Sequence, residues 1–211
     1  MKKILLIGGG GHCCSVIDTI KENNDYPQIA IVDNKNLDSV NGVPVIGTDS
    51  DLEKLFNDGW TEAFITVGSV GDVSARRNIY VQLKKIGFSI PSIIDKSALI
   101  SATADIEEGV FIGKRTVVNF NSVIEKCAII NTGAIVEHDC KIGEFSHISC
   151  NATLCGNVSV GKNTHIGAST VVKQQIKVGE DTIIGTGSNV VKNVPDNSLA
   201  YGNPCEVIKC L

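Results

Sequence analysis

The stretch INTGAIVEHDCKIGEFSHISCNATL, residues 130–154, decides the fold of this chain. Every sixth residue in it is aliphatic, and the same period continues on both sides. The aliphatic positions are Ile100, Ile106, Ile112, Val118, Ile124, Ile130, Val136, Ile142, Ile148, Leu154, Val160, Ile166, Val172, Val178, Ile184 and Val190. A second row, two residues before these, is mostly small: Ala104, Val110, Thr116, Ser122, Ala128, Ala134, Cys140, Ser146 and Ala152. This period predicts a parallel β-helix, whose turns stack on one another and share one core.

The predicted β-helix runs from about Ala98 to Val194. Three hexapeptides make one triangular turn that rises by one strand spacing, about 4.8 Å, so the repeats give about five turns. Pro195 is expected to end the pattern, and Tyr201–Leu211 to form a tail. Sharp corners often need a positive φ, which favours glycine. We therefore expect the corners at Gly113, Gly143, Gly161, Gly167, Gly179 and Gly185.

The amino-terminal part of the chain lacks this period. The apolar run Ile4–Ile7 stops at the glycines Gly8–Gly11, and helical spacing begins at His12. Two more short apolar runs end at Asp33 and Gly68, and a second helical pattern follows the latter. Alternating short strands and helices imply parallel β-α-β units, so we predict an α/β Rossmann-like domain here.

The predicted domain organisation has two parts. Residues 1–92 form the Rossmann-like domain, and residues 93–211 form the β-helix and its tail. The linker between them is predicted at Phe88–Leu99, which carries Pro91.

Composition disfavours several classes of function. The net charge of -4, with acidic and basic residues interspersed, gives no electrostatic reason to expect nucleic acid or an anionic membrane as a partner. No apolar stretch approaches the roughly 20 residues needed to span a bilayer. The apolar run after Lys2 and Lys3 is short and enters glycines, so we interpret it as the first strand and not as an export signal. We expect a cytoplasmic protein.

The eight cysteines raise the question of disulfides or zinc. Cys13 and Cys14 are adjacent, and no CxxC pair occurs. Thiols stay reduced in the cytosol. Cys140 falls in the small inward row, where free cysteine packs as a small hydrophobic residue. We expect inert thiols.

The glycine-rich strand–turn–helix ending in His12, followed by a coil that contains VEHDCKIGEFSH at 136–147, resembles one subgroup of the hexapeptide-repeat acyltransferases. This subgroup contains sugar O-acyltransferases of the sialic-acid type and nucleotide-amino-sugar N-acetyltransferases, and the bacillosamine-synthesis type is the most similar. The likeness covers almost the whole chain. It implies a left-handed β-helix, acetyl-CoA as co-substrate, no metal, and a homotrimer whose active sites are shared between subunits.

The same resemblance implies transfer of an acetyl group to the amine of a UDP-linked 4-amino-4,6-dideoxysugar. O-acetylation of a sugar is the first alternative. A protein that binds a nucleotide-sugar without catalysis is the second alternative, from a different class of function.

By resemblance, His138 is the general base. An amine or hydroxyl that attacks a thioester must lose a proton, and imidazole suits this role near neutral pH. Asp139 corresponds to a glutamate that makes the histidine more basic, since a carboxylate orients an imidazole and stabilises its charged form. Adjacent residues on a strand point to opposite sides, so this pair can meet only at a corner. For both, a solvated surface residue is the alternative.

The resemblance assigns acetyl-CoA contacts to His147, Ala168 and Thr186, and an oxyanion donor to the turn Ala152–Gly156. His165 follows His147 by eighteen residues, so the two are expected to stack along one edge. Two alternatives stay open for these histidines: exposed corner residues, or a zinc site like that of γ-class carbonic anhydrases, whose paired histidine spacing is absent.

The remaining assigned residues concern the nucleotide-sugar. The glycine loop lacks the third glycine of a dinucleotide fingerprint, because Cys13 or Cys14 stands there, which disfavours NAD. A tight turn without a ligand is the alternative for its glycines. Asp33 has the spacing at which an acid reaches a ribose. The resemblance places the substrate contacts at Gly10, Gly11, His12, Asp33, Asn34, Gly68 and Asn131.

Overall fold

The structure is a computed structural model that describes residues 2–35 and 38–211. These residues form two compact units. The first comprises the described residues up to Ser69 together with Ser74–Ile93, and the second comprises Val70–Val73 and Ile94–Leu211. Among the described helices, none has the length and apolar character required to cross a membrane.

The first unit is a five-stranded sheet with helices. Its strands are β1 (Lys3–Ile7), β2 (Gln28–Val32), β3 (Ser39–Val40), β4 (Val43–Gly47) and β5 (Glu62–Ile65), in the order β3-β4-β2-β1-β5. All pairs are parallel except β3 with β4. The helices are α1 (Gly11–Asn23), α2 (Leu52–Asn57) and α3 (Ser74–Ile86), and a 3₁₀ turn spans Asp49–Asp51. The predicted α/β Rossmann-like fold is confirmed.

The core of this unit follows from the two hydrophobic patterns. Ile4–Ile7 is buried on both faces of the sheet, as a central parallel strand requires. Helix α1 buries Val16, Ile17 and Ile20, which recur on one face at helical spacing.

The second unit is the predicted parallel β-helix. Two-residue strands recur every six residues: β6 (Ile93–Ile94), β7 (Leu99–Ile100), β8 (Asp105–Ile106), β9 (Phe111–Ile112), β10 (Val117–Val118), β11 (Val123–Ile124), β12 (Ile129–Ile130), β13 (Ile135–Val136), β14 (Lys141–Ile142), β15 (His147–Ile148), β16 (Thr153–Leu154), β17 (Ser159–Val160), β18 (His165–Ile166), β19 (Val171–Val172), β20 (Lys177–Val178), β21 (Ile183–Ile184) and β22 (Asn189–Val190). Every third strand stacks in one sheet, which gives three faces named here by their first strands: the β6 face, the β7 face and the β8 face.

The stacking is in register. Val136 pairs with Val118 in the coil before and with Leu154 in the coil after, and all three side chains are buried. The six-residue aliphatic row therefore forms the shared core, as predicted.

The first strand of the β-helix lies at the start of the predicted domain 93–211, before the repeats predicted from about Ala98. Strand β6 stacks next to β9, although its residues fall within the predicted linker. Ile94 lies six residues before Ile100 and so extends the same row by one repeat. Phe88, Ile90 and Ile93 are buried, so this segment is packed and not an exposed connection.

The prediction that the coil glycines occupy left-handed corners is wrong. Gly143 and Gly161 have no positive φ, but a Cβ on either would lie 2.5 Å from the backbone nitrogen of the next coil. These glycines are needed for close approach of neighbouring turns. The left-handed corner positions lie three residues before each aliphatic residue and include Arg115, Asn121, Asp139, Phe145, Asn151, Asn157, Asn163 and Asp181.

The segment predicted as a tail forms part of two strands. Strand β23 (Ser198–Gly202) joins the β6 face parallel to β21, and β24 (Cys205–Cys210) pairs with it in antiparallel fashion. Ala200 lies opposite Ile184 and is buried. Pro195 thus ends the six-residue period but not the sheet.

Candidate active site

The first candidate site lies at the carboxyl ends of β1 and β2, where ligands bind in parallel α/β sheets. A cavity of about 370 Å³ opens there beside Gly8. The polar part of its lining comprises Asp33, Asn34, Lys35, Asp49, Asn78 and Gln82.

The glycines of the loop have different reasons to be glycine. Gly8 has φ +107°, and a Cβ on it would lie 2.6 Å from Val67, so the turn itself requires it. Gly10 and Gly11 have no positive φ, and a Cβ on either would meet no atom within 4 Å. Gly10 is the N-cap residue of helix α1. The fold therefore accounts for Gly8 and leaves open space in front of Gly10 and Gly11.

The predicted acid and amide of this site are both engaged. Asp33 accepts hydrogen bonds from the N–H groups of Gly9 at 2.5 Å and Lys35 at 2.7 Å. The side-chain amide of Asn34 donates to Asp49 at 2.7 Å, and its oxygen accepts the N–H of Asp49 at 3.1 Å. Sequence reasoning missed Asp49, because it lies in an unpredicted 3₁₀ turn.

Gly68 and His12 are brought together in the same unit. A Cβ on Gly68 would lie 3.6 Å from Cβ of His12, an ordinary van der Waals distance. The glycine loop and the loop after β5 are thus adjacent, as the parallel topology requires for strands β1 and β5.

The second candidate site is the corner of the β-helix that follows β13. His138 is exposed, and its Nδ1 lies 2.9 Å from Oδ2 of Asp139. Asp139 has φ +59°, so the chain turns sharply and the adjacent side chains meet. The contact predicted for this pair is present, and it occurs at a corner.

A residue of the preceding coil holds the carboxylate. The amide of Asn121, eighteen residues before Asp139, donates to Oδ1 at 2.9 Å. The hydrogen bond from Asn121, followed by that from His138, lowers the pKa of Asp139 below its ordinary value of 3.8. The ionised carboxylate then favours a proton on Nδ1 of His138, which leaves the lone pair on Nε2.

A residue of the following coil faces the other side of the imidazole. Gly156 follows His138 by eighteen residues, and a Cβ on it would lie 2.5 Å from Cε1 of the ring and closer still to Nε2. Neither Asn121 nor Gly156 was named as a contact of His138 from the sequence. The eighteen-residue stacking period is the signal that places both beside it.

His147 and Asn131 form a second cluster on the β6 face. The amide of Asn131 lies 3.1 Å from Nε2 of His147, whose ring contacts that of His165 edge to face at 5.0 Å. His165 is buried, its Nε2 lies 3.4 Å from the hydroxyl of Ser149, and burial lowers its pKa. The stacking is as predicted, but His165 is not an exposed corner residue.

The other predicted cofactor residues lie along one edge. Ala168 follows β18 and Thr186 follows β21, so both occupy the edge between the β6 face and the β7 face. His138 follows β13 and occupies the edge between the β7 face and the β8 face. Within one chain, the predicted base and the predicted cofactor residues therefore border opposite sides of the β7 face.

The cysteines do not form a reactive cluster. Burial raises the pKa of both Cys13 and Cys140 to about 11, which keeps these thiols protonated. Within residues 2–35 and 38–211, no group of three or more His, Cys, Asp or Glu side chains is arranged to hold a metal ion.

Comparison with known protein families places both units. The PglD N-terminal domain family matches residues 3–83, and the bacterial transferase hexapeptide family (six repeats) matches residues 139–174. No curated protein sequence matches the chain.

Solved structures match over nearly the full length. A variant of perosamine N-acetyltransferase from Caulobacter crescentus, in complex with CoA and GDP-perosamine, is 35% identical, with a TM-score of 0.94 over 99% of this chain and 98% of that one. The acetyltransferase domain of PglB from Neisseria gonorrhoeae, in complex with acetyl coenzyme A, is 34% identical, with a TM-score of 0.93 over 98% of this chain and 99% of that one. WeeI from Acinetobacter baumannii, at 22% identity and a TM-score of 0.86 over 99% of this chain and all of that one, shares the fold. The chain belongs to the acetyl-CoA-dependent sugar N-acetyltransferases of the bacillosamine type, which join a PglD-like amino-terminal domain to a left-handed hexapeptide β-helix.

Proposed function

We propose that this protein transfers the acetyl group of acetyl-CoA to the amine of a nucleotide-linked 4-amino-4,6-dideoxysugar, with His138 as the general base. The observation that carries the proposal is the corner in which Nδ1 of His138 lies 2.9 Å from Oδ2 of Asp139 while, among the residues that the structure describes, no hydrogen-bond partner engages Nε2. Family membership supports the reaction class.

The reaction is a direct transfer in a ternary complex. The sugar amine attacks the thioester carbon while Nε2 of His138 accepts a proton from the nitrogen. The tetrahedral intermediate then collapses, the carbon–sulfur bond breaks, and the CoA thiolate takes the proton from the imidazolium. No covalent enzyme intermediate forms, so the cysteines have no required role.

Gly156 supplies a donor for the oxyanion of that intermediate. Among the residues that the structure describes, no acceptor pairs with its backbone N–H, and the residue lies against the imidazole. A fixed N–H aimed at the developing negative charge stabilises it without reorganisation. Gly156 is the last residue of the turn Ala152–Gly156, to which the resemblance assigns the donor.

The glycine loop binds the nucleotide diphosphate. The open space at Gly10 and Gly11, at the amino terminus of α1, lets phosphate oxygens approach the backbone N–H groups. Asp33 retains lone pairs for a ribose hydroxyl beyond the two N–H groups it already binds. The hydrogen-bonded pair Asn34–Asp49 borders the cavity that would take the nucleobase of the substrate.

The nucleotide is either UDP or GDP. UDP follows from the bacillosamine-type resemblance, and the perosamine N-acetyltransferase of Caulobacter crescentus was solved with GDP-perosamine. Both share the diphosphate that the glycine loop would bind. A panel of both nucleotides is therefore needed.

The proposed active unit is a homotrimer packed through the β7 face. Leu99 and Val171 on this face are 68% and 43% exposed, and the residues between them in the same column are Val117, Ile135 and Thr153. Packing of these faces around a threefold axis would cover the apolar surface. It would also bring His138 of one subunit beside the cofactor edge of the next.

The test is a product assay with the wild-type protein. UDP- and GDP-linked 4-amino-4,6-dideoxysugars are incubated with acetyl-CoA, thiol release is followed, and the product is analysed by mass spectrometry and NMR. We expect acetylation of nitrogen with at least one nucleotide. Acetylation confined to a hydroxyl would favour the O-acetyltransferase, and binding without thiol release would favour the non-catalytic alternative.

A further inference from the structure

Gly156 differs from the other coil glycines in what it faces. At Gly143 and Gly161, a Cβ would collide with backbone of the next coil. At Gly156, the atoms in the way are Nε2, Cε1 and Cδ2 of the His138 imidazole, the last at 3.2 Å. The glycine is therefore matched to one side chain and not to the coil.

The corner itself does not require glycine at this position. Gly156 has no positive φ. The column of residues at the same corner in neighbouring coils holds Phe120 and Gln174, eighteen residues before His138 and after Gly156. Both carry full side chains, so the backbone of this corner accommodates a Cβ where no imidazole lies beneath it.

We infer that Gly156 is a positioning residue: its missing side chain leaves the space in which the His138 imidazole keeps its hydrogen bond to Asp139 and holds Nε2 in place. The inference rests on the proposed function, because it concerns the geometry of the proposed base. It is separate from the oxyanion donor, since alanine at this position would keep the backbone N–H.

A Cβ at residue 156 would displace the ring and not the coil. A contact of 2.5 Å to Cε1 cannot persist, and the imidazole, which is exposed in the single chain, would have to rotate away from residue 156. Rotation would break the 2.9 Å bond between Nδ1 and Asp139. The expected result is loss of catalysis in a protein that remains folded.

The experiment compares Gly156→Ala with Glu180→Ala, an exposed position at the edge between the β8 face and the β6 face. We expect kcat of Gly156→Ala to fall by about 100-fold or more, which is the share usually supplied by a general base, with KM for both substrates unchanged. Glu180→Ala should retain the wild-type kcat. Both variants should keep the wild-type melting temperature.

A spectroscopic readout keeps the inference testable without an assay. The ¹⁵N chemical shifts of His138 should report a single tautomer with the proton on Nδ1 in the wild type and a mixture in Gly156→Ala. A wild-type kcat, or an unchanged tautomer, in Gly156→Ala would overturn the inference. An inactive wild type would instead overturn the proposed function, and the tautomer measurement would still decide the role of Gly156.

A double variant separates positioning from coil stability. In a His138→Ala background the ring atoms that oppose the Cβ are absent, so adding Gly156→Ala should leave the melting temperature unchanged. A large drop in that background would show that the coil needs the glycine, and would contradict the inference.

Discussion

Two corners of the β-helix share an Asn–Asp hydrogen bond but differ in the residue that precedes the aspartate. At one, the amide of Asn121 donates to Asp139 at 2.9 Å, and at the other, the amide of Asn163 donates to Asp181 at 2.9 Å. The backbone of both aspartates is in the left-handed region, with φ of +59° and +50°. Because this hydrogen bond occurs at both corners, it belongs to the architecture of the coil and does not by itself identify a catalytic corner.

The difference lies in the residue before each aspartate. Glu180 precedes Asp181 and pairs with Lys162 at 3.1 Å, so its charge is used within the coil. His138 binds its neighbouring aspartate and leaves Nε2 facing Gly156. The same Asn–Asp hydrogen bond therefore stabilises the coil at one corner and orients the proposed base at the other.

The largest expected effect is on catalysis at the His138 corner. His138→Ala should lower kcat by about 10²- to 10⁴-fold, the usual contribution of a general base. Glu180→Ala, the matched change at the other corner, should leave kcat unchanged. Steady-state acetyl transfer measures both, and an equal loss in the two variants would remove the distinction between the corners.

The second-largest expected difference is the effect on kcat of replacing the two aspartates. Asp139→Asn should lower kcat by about 10- to 100-fold, because an amide can donate to Nδ1 and so favour the wrong tautomer of His138. Asp181→Asn should have no effect on kcat. Asparagine tolerates the left-handed conformation, so melting temperatures should stay close to that of the wild type. If the two substitutions reduce kcat alike, the aspartate acts through the coil and not through the imidazole.

Glycine substitutions sharpen the comparison in terms of stability. Gly143→Ala should reduce the free energy of unfolding by about 1–3 kcal/mol, because its Cβ would meet the backbone of the next coil 2.5 Å away. Gly156→Ala should cost far less, because its Cβ meets a side chain that can rotate. Denaturant titration of both variants gives the difference, and equal losses would argue that both glycines serve coil packing.

The smallest expected effect is the pH dependence of stability from the buried histidine. Burial lowers the pKa of His165 below its ordinary value of 6.5. The unfolded chain therefore binds a proton first as the pH falls, so stability present above pH 6.5 is lost as the pH drops through the folded pKa.

We expect the melting temperature of the wild type to fall below this pH, and His165→Gln to reduce that fall. His138→Gln is the control, since His138 is exposed and lies at the edge between the β7 face and the β8 face, whereas His165 lies on the β6 face. An unchanged pH profile in His165→Gln would show that another group is responsible.

Much of this architecture could be predicted from residue spacing alone. The aliphatic row at a six-residue period defines the core because inward positions of a β-helix must be apolar in every turn. The same row, extended by Ile94, would have placed the first strand correctly. The contact of His138 with Asp139 followed from the corner geometry once the resemblance had named the pair.

Other features depend on neighbours that lie eighteen residues away. The reason for glycine at Gly143 appears only when the next coil is placed above it, and the same holds for Asn121 and Gly156 beside His138. Strand β4 was not predicted because Pro44 and the exposed Ile46 interrupt the apolar pattern of this short segment.

The central claim is that an imidazole at this corner accepts the proton of the attacking amine. The direct test is acetyl transfer by His138→Ala with and without added imidazole. We predict a rate at least about 100-fold below that of the wild type, partly restored by imidazole that occupies the space between Asp139 and Gly156. A rate for His138→Ala within about threefold of the wild type, with no response to imidazole, would contradict the account.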